Sequence, residues 1–189
     1  MDATKGDRMP GTDAAPDPEA PGPGPADDRE TEVRAALARY LEVRAQAEAG
    51  TRPWSALADV FTDDVVYIDP AWGRLEGRVA LERFLDESMR GLEDWSFPVE
   101  FTAVAGDWVV VRWTQRLPGR RTDGRPYEQS GMSTLHYAGG GRFDYGEDLL
   151  NMAHVLEDLA ESGWRPGPGF TPPPRHPNRD FRPARGQGR

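Results

Sequence analysis

The chain has 189 residues, a net charge of −9 and no cysteine, and it contains 18 Pro and 21 Gly. This length suits one folded domain with tails, or at most two small domains. The lack of cysteine excludes disulfides, thiolate catalysis and cysteine-based metal sites. The acidic balance makes the chain a poor nucleic-acid surface, because phosphate contacts need Lys and Arg.

Proline and glycine concentrate at the two ends of the chain. Residues 1–29 and 165–189 hold almost no large apolar side chains, so neither segment can bury enough surface to offset the entropy of ordering. We therefore predict a disordered acidic tail at 1–29, a folded domain at 30–164 and a disordered basic tail at 165–189. With no apolar run of membrane-spanning length and no secretory signal, we expect a cytoplasmic location without membrane contact.

In the first half of the domain, three predicted helices surround one short strand. The segment ETEVRAALARYLEVRAQAEAG predicts a helix that ends on Gly50, a glycine suited to a helix C terminus. PWSALADVF predicts a shorter helix beginning at Pro53, residues 65–69 a short strand, and GRVALERFLDESMRGL a third helix. The residues that recur at helical spacing on the first helix are Val33, Leu37, Tyr40, Leu41 and Arg44.

After Trp95 the apolar pattern changes to a period of two. FPVEFTAVAGDWVVVRWTQRLPG predicts two strands joined by a tight turn at Gly106. YEQSGMSTLHY and FDYGEDLL predict two more strands, and a helix that closes on Gly163 follows them. Alternation along the second of these four strands places Val109, Val111, Trp113 and Gln115 on one face and Trp108, Val110, Arg112 and Thr114 on the other.

These elements predict an α+β fold, a cone-shaped, curved antiparallel sheet wrapped around the N-terminal helices. Their order, with the segments ARYLEVR, FTDDVVYIDP, GRVALERFLDE and AGGGRFDYGED, resembles the nuclear-transport-factor-2-like superfamily in its SnoaL-like and ketosteroid-isomerase-like branch. The resemblance spans roughly residues 31 to 160 and implies an NTF2-like, cystatin-like roll. The superfamily includes isomerases, polyketide cyclases, dehydratases, epoxide hydrolases and non-catalytic members, so fold alone does not settle function.

The resemblance also implies candidate catalytic residues. In the isomerases, an aspartate at the end of the first strand removes a proton beside a carbonyl, and Asp69 in YIDP stands there. Tyr40 in ARYL matches the tyrosine that donates to the developing enolate oxygen. The second acid of the isomerases corresponds to Ser133, a weaker donor. From the residues alone, Asp-Pro is also typical of a turn, so a purely turn-forming Asp69 stays open.

Cyclase-like members suggest a second carboxylate near the last strand. Glu147 and Asp148 face opposite ways by alternation, and register with the isomerases favours Asp148; both residues are also suited to cap the final helix. The Asp-Arg-Asp arrangement of the epoxide-hydrolase relatives has no match in MSTLHY. We predict Asp69, Tyr40 and Asp148 as catalytic, and as substrate-binding residues Tyr67, Trp72, Phe84, Trp113, Ser133, Leu135, Glu147 and Asn151.

The prediction for function is a small-molecule isomerase, cyclase or dehydratase that transfers protons on a hydrophobic carbonyl compound, with Asp69 as general base and no cofactor. The three histidines have no metal-ligand spacing, and AGGG lacks the lysine of a phosphate loop. Two alternatives stay open: a non-catalytic binding protein with the same cavity, and a homodimeric interaction module. The dimer would form through the outer sheet face, at Trp108, Val110, Thr114 and Met132.

Overall fold

The computed structural model describes residues 25–182, which form three α-helices, one short 3₁₀ helix and six strands. The helices are α1 (Pro25–Glu48), α2 (Arg78–Met89) and α3 (Met152–Ser162), with the 3₁₀ helix at Trp54–Val60. The strands are β1 (Phe61–Asp69), β2 (Gly73–Glu76), β3 (Val99–Ala105), β4 (Trp108–Arg120), β5 (Pro126–Gly139) and β6 (Arg142–Leu150). The predicted α+β architecture is confirmed.

The six strands form one sheet in the order β2-β1-β6-β5-β4-β3. Neighbouring strands are antiparallel except β1 and β6, which run parallel. The predicted antiparallel meander is present, and β1 joins it beside β6 in the parallel direction, a pairing that the sequence analysis did not specify. The short strand β2, which the sequence analysis did not anticipate, covers the other edge of β1.

The core lies between the inner face of the sheet and helices α1 and α2. Along α1, the buried positions recur every three or four residues, as an amphipathic helix requires. Tyr40 makes edge contacts with Phe61 and Phe143, whose ring centroids lie 6.4 and 6.3 Å away. The face of β4 predicted to be inward is buried throughout, whereas Trp108, Val110, Thr114 and Met132 on the outer face are half-buried.

A β-bulge at Asp144 changes which face the residues of β6 present. Tyr137 of β5 pairs with Phe143, and the preceding His136 pairs with Tyr145, so Asp144 is an extra residue opposite this step. Phe143 belongs to the inner core, whereas Tyr145 packs in a small outer cluster. Residues that are two apart in sequence therefore lie on opposite faces of the sheet.

The first helix begins earlier than the predicted start of the folded domain, and the domain boundaries stay a prediction. Helix α1 begins at Pro25, ahead of residue 30, and Arg29 fixes its first turns by donating to Asp107 over 2.7 Å. The rest of the predicted acidic tail, residues 1–24, and residues 183–189 lie outside the described residues. No helix within 25–182 has the length and apolarity needed to span a bilayer.

Residues 163–182 run as irregular chain along the domain. Gly163 ends α3 with a φ of 65°, as the sequence predicts. Further along, the Gly167 N–H donates to the Gly91 carbonyl over 2.9 Å, and the Arg74 N–H donates to the Asn178 carbonyl over 2.8 Å. These contacts join the segment to the loop after α2 and to β2. The disorder predicted for the basic tail stays a prediction.

Candidate active site

A cavity of about 290 Å³ opens between the inner face of the sheet and the helices. Most of its wall is aromatic or aliphatic, and helix α1, strands β1, β4 and β6, helix α3 and the C-terminal segment all contribute to it. A cavity of this size and character suits a small apolar ligand that a few polar groups orient. The polar and charged residues in the wall include Tyr40, Arg44, Tyr67, Asp69, Gln115 and Asp148.

Asp148 lies at the centre of a hydrogen-bond network on the inner face of the sheet. Its Oδ1 accepts from the Ser133 hydroxyl over 2.5 Å, and its Oδ2 accepts from the Tyr67 hydroxyl over 2.7 Å. The Trp113 indole N–H donates to the Ser133 oxygen over 2.9 Å. Burial raises the pKa of Asp148, while the two hydroxyls and the positive charge of Arg44 act in the opposite direction. The network fixes the orientation of the carboxyl group.

Two glycines make room for the rings of this network. A Cβ atom on Gly131 would lie 2.3 Å from the Trp113 ring, and one on Gly146 would lie 2.5 Å from the Tyr67 ring. Such distances are far below van der Waals contact. Both rings therefore pack directly on the glycine backbone, where any larger residue would clash with them. The glycines therefore allow the indole N–H and the phenol hydroxyl to reach Ser133 and Asp148.

Asp69 forms a turn and also faces the cavity. Its Oδ1 accepts from the backbone N–H groups of Ala71 and Trp72, each over 2.7 Å. The turn does not use Oδ2, and the half-buried side chain lines the cavity. Burial, reinforced by the negative charge of Asp148, raises the pKa of Asp69 from 3.8 to about 6, although the two N–H groups lower it. The two interpretations of YIDP are therefore compatible.

Tyr40 brings a phenol group from α1 to the same cavity. The residue is 1% exposed, and burial is the main cause that raises the pKa of its hydroxyl. Arg44, one turn further along α1, lowers that pKa, whereas the charge of Asp148 raises it. A phenol in this setting keeps its proton at neutral pH and can donate a hydrogen bond into the cavity.

The C-terminal segment forms part of the cavity wall. Trp164, Phe170 and Pro173 line the cavity, and the Trp164 ring contacts Trp95 with centroids 5.2 Å apart. The Trp164 indole N–H donates to Asp94 over 2.9 Å. Residues beyond α3 thus narrow the opening with aromatic and proline side chains.

Residues 37–143, more than half of the chain, match the family described as SnoaL-like domain. The chain belongs to this family. Among curated proteins, none matches it. The match stops before Asp148, so the second carboxyl and the C-terminal wall of this SnoaL-like domain lie outside the matched residues.

Solved structures of other proteins share the fold at low identity. A protein from Shewanella putrefaciens CN-32, provisionally named a SnoaL-like polyketide cyclase, is 17% identical with a TM-score of 0.53, over 68% of this chain and 86% of its own. Another protein of that provisional name, from Jannaschia sp. CCS1, is 16% identical with a TM-score of 0.53, and the alignment covers 77% of this chain and 100% of the other. An LEH-like epoxide hydrolase from M. tuberculosis is 16% identical with a TM-score of 0.51, and the alignment covers 70% of this chain and 92% of the other. At these identities the likeness shows the fold alone.

The SnoaL-like domain brings most of the predicted site residues together. Ser133 is not part of the cavity lining and meets the site through its hydrogen bonds with Asp148 and Trp113, and Leu135 lies in the core away from the cavity lining. Glu147 points to the outer face, where it accepts from the Tyr145 hydroxyl over 2.9 Å. Asn151 caps α3, accepting from the N–H groups of the second and third residues beyond it. The predicted residues that line the cavity are Tyr40, Tyr67, Asp69, Trp72, Phe84, Trp113 and Asp148.

Several lining residues were not predicted as site residues. Arg44 stood on the apolar face of the first predicted helix, and a charged residue in that position is a signal for a buried polar site. Gln115 stood in the inward set of β4, where a polar residue carries the same signal. Trp95 carried no such signal. Trp164 immediately precedes the predicted basic tail at 165–189, and Phe170 lies within that segment. Within residues 25–182, no three His, Asp or Glu side chains are grouped so that they could share a metal ion.

Proposed function

We propose that this SnoaL-like domain is a cofactor-independent proton-transfer enzyme that acts on a hydrophobic carbonyl compound, with Asp69 as the general base. The observation that supports it best is the setting of Asp69: one carboxyl oxygen is held by the turn, the other is left for the cavity, and the pKa is raised to about 6. A base whose pKa lies just below the working pH is ionised and still holds a proton well once it has accepted one.

In the proposed reaction, Asp69 takes a proton from the carbon next to the substrate carbonyl. The electron pair of the broken C–H bond moves to the carbonyl oxygen and gives an enolate, to which the Tyr40 hydroxyl donates a hydrogen bond. Asp69 then gives up the proton it accepted: to another carbon in isomerisation, to the alkoxide formed when the enolate attacks a second carbonyl in cyclisation, or to a neighbouring hydroxyl that leaves as water in dehydration. Asp148 is the second carboxyl of the proposed site, and its negative charge helps to keep the pKa of Asp69 raised.

The other lining residues bind and position the substrate in this proposal. The Phe84 ring lies 5.8 Å from the Tyr67 ring and 5.6 Å from the Trp72 ring, measured between centroids. This aromatic wall excludes water from the neighbourhood of Asp69 and Asp148 and sustains their raised pKa values. Ser133 has a positioning role, because its proton goes to Asp148.

The test is exchange of the α-protons of hydrophobic ketones such as 2-tetralone and 1-indanone into D₂O, followed by NMR. We expect Asp69→Asn to slow the protein-catalysed exchange by about 10²- to 10⁴-fold, the usual contribution of a general base. The wild-type rate should rise with pH through about 6, because only ionised Asp69 is active. Asp64→Asn, an exposed carboxylate on the same strand, is the matched control and should leave the rate unchanged.

Equal exchange rates for Asp69→Asn and wild type would contradict the proposed base. Saturable binding of these ketones with no exchange above buffer between pH 5 and 8 would favour the alternative of a non-catalytic binding protein. The homodimer through the outer sheet face and the cytoplasmic location stay predictions; sedimentation velocity of the purified chain would test the first of them.

A further inference from the structure

Three buried N–H groups within residues 25–182 have no hydrogen-bond acceptor, and all three belong to residues that line the cavity. They are Arg44 Nε, Gln115 Nε2 and Trp95 Nε1, which we name the donor cluster. Arg44 and Gln115 are only 7% and 6% exposed. A buried donor without an acceptor destabilises a fold by about 1–3 kcal/mol, so such groups are few in folded proteins and call for a physical reason.

Arg44 carries a positive charge that no described side chain neutralises by direct contact. Its Nη2 donates to the Phe97 carbonyl over 3.0 Å, and its guanidinium carbon lies 5.6 Å from the centre of the Trp113 ring. No carboxylate of residues 25–182 lies within the 4.0 Å of an ion pair with it. Arginine stays protonated even when buried, and Asp148 interacts with this charge only from beyond ion-pair distance, so a buried cation here lacks a directly paired anion, which is unfavourable.

The three members of the donor cluster lie around the packed rings of Phe97 and Trp113. Gln115 follows Trp113 by two positions on β4, so both side chains lie on the inner face about 7 Å apart along the strand. The Phe97 ring lies 5.9 Å from the Trp113 ring and 6.4 Å from the Trp95 ring. The three donors therefore belong to the same end of the cavity.

We infer that the substrate carries a carboxylate, which Arg44 and Gln115 bind at this end of the cavity while its apolar body lies along the aromatic wall towards Asp69. A carboxylate supplies both a negative charge at ion-pair distance and two acceptor oxygens, and it matches the planar guanidinium better than a neutral carbonyl does. A cationic ligand would instead add a second positive charge beside Arg44. The inference rests on the proposed function and narrows its substrate to a hydrophobic keto acid.

The donor cluster can be tested by binding alone, without any assay of turnover. The probes are 2-naphthoate and its methyl ester, which share an apolar body and differ in charge, titrated calorimetrically into the full chain at pH 7.5. We expect wild type to bind the carboxylate at least about tenfold more tightly than the ester. Arg44→Gln should abolish this preference, Gln115→Leu should reduce it about threefold, and Arg44→Lys, which keeps the charge, should retain part of it.

Two further variants separate the possible outcomes. Arg39→Gln, at an exposed position of the same helix, should keep the full preference, and circular dichroism checks that each variant is folded. Asp69→Asn should also keep the preference, so binding of the carboxylate is tested independently of the proton-exchange assay. Equal affinity of wild type for acid and ester, no saturable binding of 2-naphthoate at millimolar concentration, or a preference that survives in Arg44→Gln would each overturn it.

Discussion

The cavity has a carboxyl end around Asp148 and the donor cluster around Phe97. The carboxyl end satisfies its polar groups within the protein, whereas the donor cluster leaves buried donors without acceptors. Both oxygens of Asp148 accept hydroxyl hydrogen bonds, and Oδ1 of Asp69 accepts two from the backbone. At the other end, buried N–H groups of Arg44 and Gln115 have no acceptor in the described chain. An end that satisfies its own groups is organised before any ligand binds, whereas the other end leaves donors that, in the inference above, the substrate carboxylate would satisfy.

The largest expected effect comes from breaking the carboxyl end at Gly131. Gly131→Ala places a Cβ 2.3 Å from the Trp113 ring, which packs against Phe97 and cannot move away freely. We expect the free energy of unfolding to fall by about 2–3 kcal/mol, because the added methyl group displaces the Trp113 ring from its packed position. Urea denaturation measures this loss, and near-UV circular dichroism reports the displaced indole.

A second substitution provides the control for steric overlap at this position. Trp113→Leu combined with Gly131→Ala should cost less than the sum of the two single changes, since the smaller side chain leaves space for the new methyl group. A Gly131→Ala protein within 0.5 kcal/mol of wild type would show that the ring does not need this glycine.

An effect of opposite sign and at most comparable size is expected at Asp69. The folded carboxyl keeps its proton up to about pH 6, whereas an unfolded one loses it near 3.8. The folded state therefore binds more protons in this window, and the free energy of unfolding falls as pH rises through it. Asp69→Asn removes this dependence and keeps an oxygen for the two backbone donors, so the variant should be more stable at pH 7 by up to about 3 kcal/mol.

Thermal denaturation between pH 4 and 8 measures the Asp69 effect. The advantage of Asp69→Asn should shrink to nearly nothing by about pH 4, where wild-type Asp69 is protonated as well. Asp64→Asn should stay within 0.5 kcal/mol of wild type across the range, since that side chain is exposed. A stability difference that does not vary with pH would contradict the raised pKa.

The smallest effect is expected at the donor cluster. Arg44→Met keeps much of the side-chain volume and removes a buried charge that has no ion-pair partner among the described residues, so we expect the free energy of unfolding to stay the same or rise by about 1 kcal/mol. Arg29→Met on the same helix is the matched contrast, because it loses the hydrogen bond to Asp107 and should destabilise slightly. Urea denaturation compares the two. A loss of more than 2 kcal/mol in Arg44→Met would show that Arg44 is needed mainly for folding.

Much of the fold could be predicted from the sequence because local patterns determine it. Alternation of apolar residues gave the inward face of β4, and the turn at Gly106 gave the hairpin between β3 and β4. Strand β2 has only four residues and no clear alternation, so its pairing with β1 depends on tertiary contacts. The parallel arrangement of β1 and β6 likewise depends on where the meander closes, which no local pattern records.

The site was less predictable than the fold. Resemblance to the superfamily singled out Asp69, Tyr40 and Asp148, and all three line the cavity. Their catalytic roles stay predictions. The pattern of a segment indicates which way a side chain faces but not whether it finds a partner. That Arg44 Nε and Gln115 Nε2 lack an acceptor emerges only when helix, strand and loop are brought together in three dimensions.

The bulge at Asp144 determines which single-residue deletions in β6 keep Asp148 on the inner face of the sheet. Because Asp144 is the extra residue, a chain lacking it would pair Phe143 and Tyr145 in regular succession and leave Asp148 in the cavity. Loss of one residue between Tyr145 and Asp148 would instead turn the carboxyl to the outer face. Crystal structures of the two deletion variants would distinguish these cases. Within β6, a change in chain length is therefore harmless at one position and removes a carboxyl from the cavity only two or three residues later.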